Sequence, residues 1–281
     1  MTNAEKILYT KSVKGDFMEI KDRTIALLID SDNVSSDYFS IILDELSQYG
    51  KVTYRRLYGD FTNNKANGWK NALLEYSIEQ IQQVAFTSGK NATDSKMIID
   101  AMDILYKGNV DCFCLATSDS DFTNLAMRFR NDNIVVIGAG EKKTPLSFRR
   151  ACDIFIPIDE ILSAAKTAKN AAASASKKKS AKTKTAEDKE KAATEKRLED
   201  LVNIADGIIA GGADLDGWMN FSIFINELRR KENDFNPKLY GFNSSRPIQF
   251  FKSIAKEGKP VFMLEKSDKA DKIRINPEQK Q

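Results

Sequence analysis

The sequence predicts a parallel α/β domain with helices on both faces, followed by a small winged helix-turn-helix unit. Three observations carry that expectation. From Lys21 to Leu162, short apolar runs rich in β-branched residues alternate with amphipathic stretches, the pattern of parallel strands joined by crossover helices. From Ser163 to Arg197 the composition collapses to Ala, Lys, Ser and Thr. Beyond it, three helical stretches precede two short apolar runs joined by a polar turn, the order of a winged helix.

Taken in order, residues 1–20 form an N-terminal extension with no signal-peptide core. The strand candidates of the first domain, residues 21–162, are "TIALLI", "KVTYRRLY", "EQIQQVAF", "DCFCLAT", "NIVVIG" and "DIFIPI". Between them, "SDYFSIILDELSQYG", "GWKNALLEYS", "DSKMIIDAMDILYKG", "DFTNLAMRFRND" and "PLSFRRAC" have helical spacing. In the third of these Met97, Ile98, Ala101, Ile104 and Leu105 share one face, and Gly108 ends the run. Residues 163–197 hold eleven basic against four acidic residues. They read as a tether, disordered or transiently helical, that also attracts nucleic acid by counterion release. In residues 198–281, "LEDLVNIADGIIAGGA", "FSIFINELRRKE" and "RPIQFFKSIAKEG" are the helices, and "PVFMLEKSDKADKIRIN" the hairpin.

Composition removes several chemistries. The chain has no histidine, which excludes Ser-His and Cys-His nucleophiles, HExxH metalloproteases and His-ligated zinc. Its three cysteines fall short of a four-ligand zinc site and point to reduced core thiols of a cytoplasmic protein. No apolar run approaches the ~20 residues needed to span a bilayer.

Carboxylates are what remains. "IALLIDSDN" ends a strand with Asp30, Asp32 and Asn33; "GKNATDSK" places Asp94 at the start of a helix; "LATSDSDF" ends another strand with Asp119 and Asp121. In a parallel sheet these strand-to-helix turns open on one edge, where such sheets bind ligands. Crowded carboxylates raise one another's pKa unless a cation enters, and a hard divalent ion, Mg²⁺ or Mn²⁺, prefers oxygen ligands. Helix capping explains one residue per turn, with Thr93, Asp94, Ser118 and Ser120 as candidates, but not the doubled aspartates. A metal-assisted phosphodiester hydrolase is therefore expected.

Competing readings are weaker. "LLIDSDNV" also fits a phosphatase start in which Asp30 is a nucleophile and Asp32 an acid–base. "GAGEKK" has Lys143 where a dinucleotide loop needs its third glycine, and "TSGKNATDS" lacks phosphate-loop glycine spacing. Lys90, Lys96, Lys142, Lys143, Arg149 and Arg150 stand near the acidic turns in sequence and are candidate phosphate contacts, as are Arg229, Arg230 and Lys238 in the C-terminal unit. Trp69, at the start of an amphipathic helix, reads as core or interface rather than as a base-stacking platform.

The stretches "IALLIDSDN", "GKNATDSKMIIDAMDILYKGNVDCFCLATSDSDF" and "GAGEKKTPLSFRRACDIFI" resemble the NYN domain of the LabA-like group, in the PIN-like nuclease superfamily. "DGWMNFSIFINEL" and "DFNPKLYGF" resemble an OST-HTH, or LOTUS, domain. The resemblance implies a PIN-like fold and Mg²⁺- or Mn²⁺-dependent cleavage of single-stranded RNA, endonucleolytic rather than exonucleolytic. It places the family's acids on Asp30, Asp94, Asp119 and Asp121, with Asn33 as the accompanying amide. It further implies pairing into a homodimer, and RNA or a protein partner for the C-terminal domain. A non-catalytic RNA-binding adaptor with a structural acidic rim is the alternative.

Overall fold

The computed structural model describes residues 23–62, 68–84, 91–174, 184–242, 244–256, 258–266 and 270–279, without the side chains of 167–174 and 184–193. The N-terminal extension and Lys90 lie outside the described residues. The chain divides into two compact units at Cys152–Asp153.

Six strands form one sheet: β1 (Thr24–Asp30), β2 (Lys51–Gly59), β3 (Glu79–Gln82), β4 (Cys112–Ala116), β5 (Val135–Gly140) and β6 (Ile154–Pro157), which falls just past that division. Their order is β3-β2-β1-β4-β5-β6, and the β1–β2, β1–β4, β2–β3 and β4–β5 pairings are parallel. The helices of this region are α1 (Phe39–Leu46), α2 (Lys70–Glu75), α3 (Ala92–Lys107), α4 (Thr123–Asn131) and α5 (Leu146–Ala151).

The chain steps one way along the sheet from β1 to β3, then returns past β1 to build β4, β5 and β6. Right-handed crossovers put α1 and α2 on one face and the later helices on the other. Side chains agree. Phe39 of α1 packs on Trp69 and Tyr76 around α2, and Phe113 of β4 stacks on Phe129 of α4 at 4.0 Å. The reversal lies between β1 and β4, both almost wholly buried, so the crevice at their carboxyl ends is the expected ligand site. Buried cysteines 112, 114 and 152 are free thiols, and Trp69 is 3% exposed, in the core as expected. α3 ends at Gly108, whose φ of +64° suits a residue without a Cβ.

Past β6 come α6 (Ile158–Ser174), α7 (Lys184–Gly212), β7 (Met219–Asn220), α8 (Phe221–Lys231) and α9 (Pro247–Ser253). Short strands β8 (Ala255–Lys256) and β9 (Lys259–Pro260) follow, then β10 (Phe262–Glu265) and β11 (Lys272–Ile275). Residues 163–174 and 184–197 of the Lys/Ala-rich tract are helical within α6 and α7, in keeping with the strong helix propensity of Ala and Lys. β10 and β11 pair antiparallel as the expected hairpin, and β7 adds a third strand beside β11. Asn220 both ends β7 and caps α8, accepting from the Ser222 and Ile223 amides. Phe251 is the centre of this core, edge-on to Phe224 and Phe262 at 5.0 and 5.1 Å.

Candidate metal centre

Asp30 is the last residue of β1 and only 1% exposed. It shares a row of the sheet with Tyr58 of β2, so its side chain turns toward the α3 face. Its carboxylate accepts three hydrogen bonds. The Asp32 amide reaches Oδ1 at 3.0 Å, while Asn33 Nδ2 and Thr117 Oγ1 reach Oδ2 at 2.6 and 3.0 Å. Burial nevertheless raises its pKa above the ordinary value, outweighing those hydrogen bonds. Asp32 itself is exposed.

The turn after β4 is built on Thr117. Its amide extends the ladder to Ala139, and its hydroxyl, while donating to Asp30, accepts from the Asp119 amide at 3.1 Å. Asp119 caps the following turn, accepting from the Asp121 amide at 2.9 Å. Ser118 faces the other way and accepts from the Glu141 amide at 3.0 Å. Capping is thus the work of Asp119, not of Ser118 or Ser120. At the next helix, Asn91 precedes α3 without a side-chain cap; its Nδ2 donates instead to Asp121 Oδ2 at 3.0 Å.

These turns bring Asp94, in the first turn of α3, beside Asp119 and Asp121. Each of the three offers an oxygen within 4.8 Å of the others. Asp30 is outside that trio but close enough for its charge to act on Asp94. The Asp94 pKa is pushed up to about 6, first by burial and then by the charges of Asp30, Asp119, Asp121 and Asp32. Carboxylates gathered with no cation among them are held at an energetic cost. An all-oxygen, anionic donor set with open, half-exposed positions fits a hard divalent ion that keeps some of its waters.

The basic candidates are more scattered. Lys96 is half-buried on α3, Lys142 and Lys143 are exposed beyond β5, and Lys143 pairs with Glu141 at 2.7 Å. Arg149 is half-buried and Arg150 exposed on α5. In the C-terminal unit Arg229 and Lys238 are half-buried, and Arg230 pairs with Glu227 at 2.5 Å. Two residues the sequence reading passed over are Thr117 and Asn91. Thr117 had a legible sign: it stands two residues after Leu115, on the face of the sheet that carries Asp30.

Comparison with known proteins agrees with this architecture. The model of the NYN domain matches residues 24–159, and that of the OST-HTH/LOTUS domain matches residues 189–256. The chain is an NYN-domain protein with a C-terminal OST-HTH/LOTUS domain, and its parallel sheet flanked by helices is the PIN-like NYN fold. An uncharacterized protein of Methanocaldococcus jannaschii is 29% identical over 146 residues, covering 50% of this chain and 57% of that protein. The chain thus spans little more than half the length of that relative. A Vibrio parahaemolyticus protein of unknown function has a crystal structure with 21% identity and a TM-score of 0.41, covering 50% of this chain and 94% of its own. Among the described residues, no helix is long and apolar enough to cross a membrane.

Proposed function

We propose that this protein is a divalent-metal-dependent ribonuclease that cleaves single-stranded RNA internally, and that its C-terminal domain holds the RNA. The observation that carries the reading is the meeting of the Asp94, Asp119 and Asp121 carboxylates beside buried Asp30, at the carboxyl ends of the neighbouring strands β1 and β4. Asp94, Asp119 and Asp121 would hold Mg²⁺ or Mn²⁺. Such an ion, when bound, supplies charge for a phosphoryl oxygen and acidifies a coordinated water. Asp30, fixed by Asn33 and Thr117, presents its carboxyl group beside the site, and Asn33 orients it. With no histidine in the chain, proton transfer rests on carboxylates and water.

Exposed Lys142, Lys143 and Arg150 stand on the elements that follow β5 and are suited to the RNA backbone, with Arg229, Arg230 and Lys238 serving the C-terminal domain. Free buried thiols fit a reducing compartment, the cytoplasm. One labelled single-stranded RNA on a denaturing gel, with Mn²⁺, Mg²⁺ or EDTA, tests the reading. Metal-dependent shortening by the wild type, lost in Asp119→Asn, is expected. RNA bound on a native gel but intact in every lane would replace the nuclease with a non-catalytic adaptor.

A further inference from the structure

Arg56 and Tyr58 are two residues apart on β2 and face α3 together. Arg56 Nη1 donates to both oxygens of Asp100, at 2.8 and 2.7 Å, and its Nε donates to Glu79 Oε2 at 2.7 Å. The Tyr58 hydroxyl donates to Asp100 Oδ2 as well. Tyr58 is fully buried, and the Arg56 and Asp100 side chains are only 15% and 16% exposed. The Arg56 guanidinium also lies over the Tyr54 ring, 5.2 Å from its centre.

This arrangement is costly if its purpose is only to hold a helix on a sheet. A buried ion pair contributes little net stability compared with apolar packing, and what it can add is a fixed geometry. α3 already has an apolar face, with Met97, Ala101 and Ile104 buried. An apolar stripe lets a helix slide and roll; a carboxylate clasped by a guanidinium and a phenol does not. Asp100 follows Asp94 by six residues, about 9 Å along the same helix. Tyr58 is the strand neighbour of Asp30. The clasp therefore joins the strand beside Asp30 to the helix that carries Asp94, whose first turn has no side-chain cap of its own.

We propose that Asp100, held by Arg56 and Tyr58, is a positioning residue that fixes where the Asp94 carboxylate stands relative to Asp119 and Asp121. The inference rests on the metal reading above. It assigns the clasp no contact with RNA or ion. It acts through the placement of α3.

The test is Mn²⁺ binding to the full chain, followed by the electron paramagnetic resonance of free Mn²⁺, in wild type, Tyr58→Phe and Asp100→Asn. Hydrogen exchange of the amides of residues 95–100 is measured alongside. Tyr58→Phe removes one hydroxyl; Asp100→Asn keeps shape and removes the charge. Each is expected to weaken Mn²⁺ binding about tenfold, as loss of a ligand-supporting contact does, with a native circular dichroism spectrum and faster exchange at 95–100. Should Asp100→Asn fail to fold, Tyr58→Phe decides alone. Wild-type Mn²⁺ affinity and exchange in the folded variants would overturn the proposal. If the wild type itself binds no Mn²⁺, the metal reading fails, and exchange alone decides whether the clasp fixes α3: unchanged exchange rejects it.

Discussion

Thr117 Oγ1 donates to Asp30 Oδ2 at 3.0 Å, so a hydroxyl just past β4 supports the buried carboxylate that ends β1. Both groups are out of solvent, Thr117 at 0% and Asp30 at 1% exposure. Thr117→Val keeps the shape and removes the hydroxyl, leaving the carboxylate short of a donor and the Asp119 amide without its acceptor. A loss of about 1–3 kcal/mol is expected, read as a lower urea midpoint with unchanged slope. Wild-type stability in the valine variant would show the hydroxyl to be dispensable.

Asp94 gives the site a pH dependence whose sign can be worked out. Its pKa is about 6 in the fold against an ordinary 3.8. Between those values the folded state binds more protons than the unfolded one, so stability without metal falls as pH rises through that window. The raised Asp30 carboxyl acts in the same direction. Divalent-ion binding needs the ionised group and strengthens over the same range. Asp94→Asn should melt higher than wild type at neutral pH in EDTA and show a flatter melting-temperature profile. Calorimetric scans across that range check both.

Chelation should expose the same coupling from the other side. An ion that binds only the folded state stabilises by about 2.7 kcal/mol at a hundredfold excess over its dissociation constant. Wild type should therefore melt at a higher temperature in Mn²⁺ than in EDTA. In Asp119→Asn, which removes one of the three gathered carboxylates, the two melts should coincide.

Gly140 ends β5 against the turn that holds Asp119. A Cβ there would stand 2.6 Å from both Thr117 O and Thr144 Oγ1, and 3.2 Å from Ser118 Oγ. Backbone cannot yield as a long side chain does. Gly140→Ala should cost about 1–3 kcal/mol by overpacking and weaken Mn²⁺ binding by displacing Asp119. Unaltered metal affinity in a destabilised variant would separate the turn's packing from the site.

Much of this fold is legible because its signals are local. Each of the six runs chosen by β-branched content became a strand, and Gly108 ended α3 where the apolar period stopped. The acids were legible as turns that spend more aspartates than capping needs. What stayed hidden is pairing between distant residues. Nothing near Asn91 announces that it donates to Asp121, thirty positions on. Asp100 drew no notice in the sequence, since its partners Arg56 and Tyr58 lie on β2, far from it along the chain. β7 is two residues long, one facing the core and one capping a helix, too short for alternation to register. Capping at the second acidic turn falls to Asp119 rather than to a serine, and the same residue joins the acidic trio.

The tie between Asp30 and Thr117 spans 87 positions, and β1 must find β4 across α1, β2, α2, β3 and α3 before it can form. Such distant pairing comes late and cooperatively in folding. A chain still emerging from the ribosome has its first aspartate long before its last, but it has no crevice. Under the nuclease reading, the growing polypeptide stays harmless to the message that encodes it until the fifth strand closes behind Asp119 and Asp121.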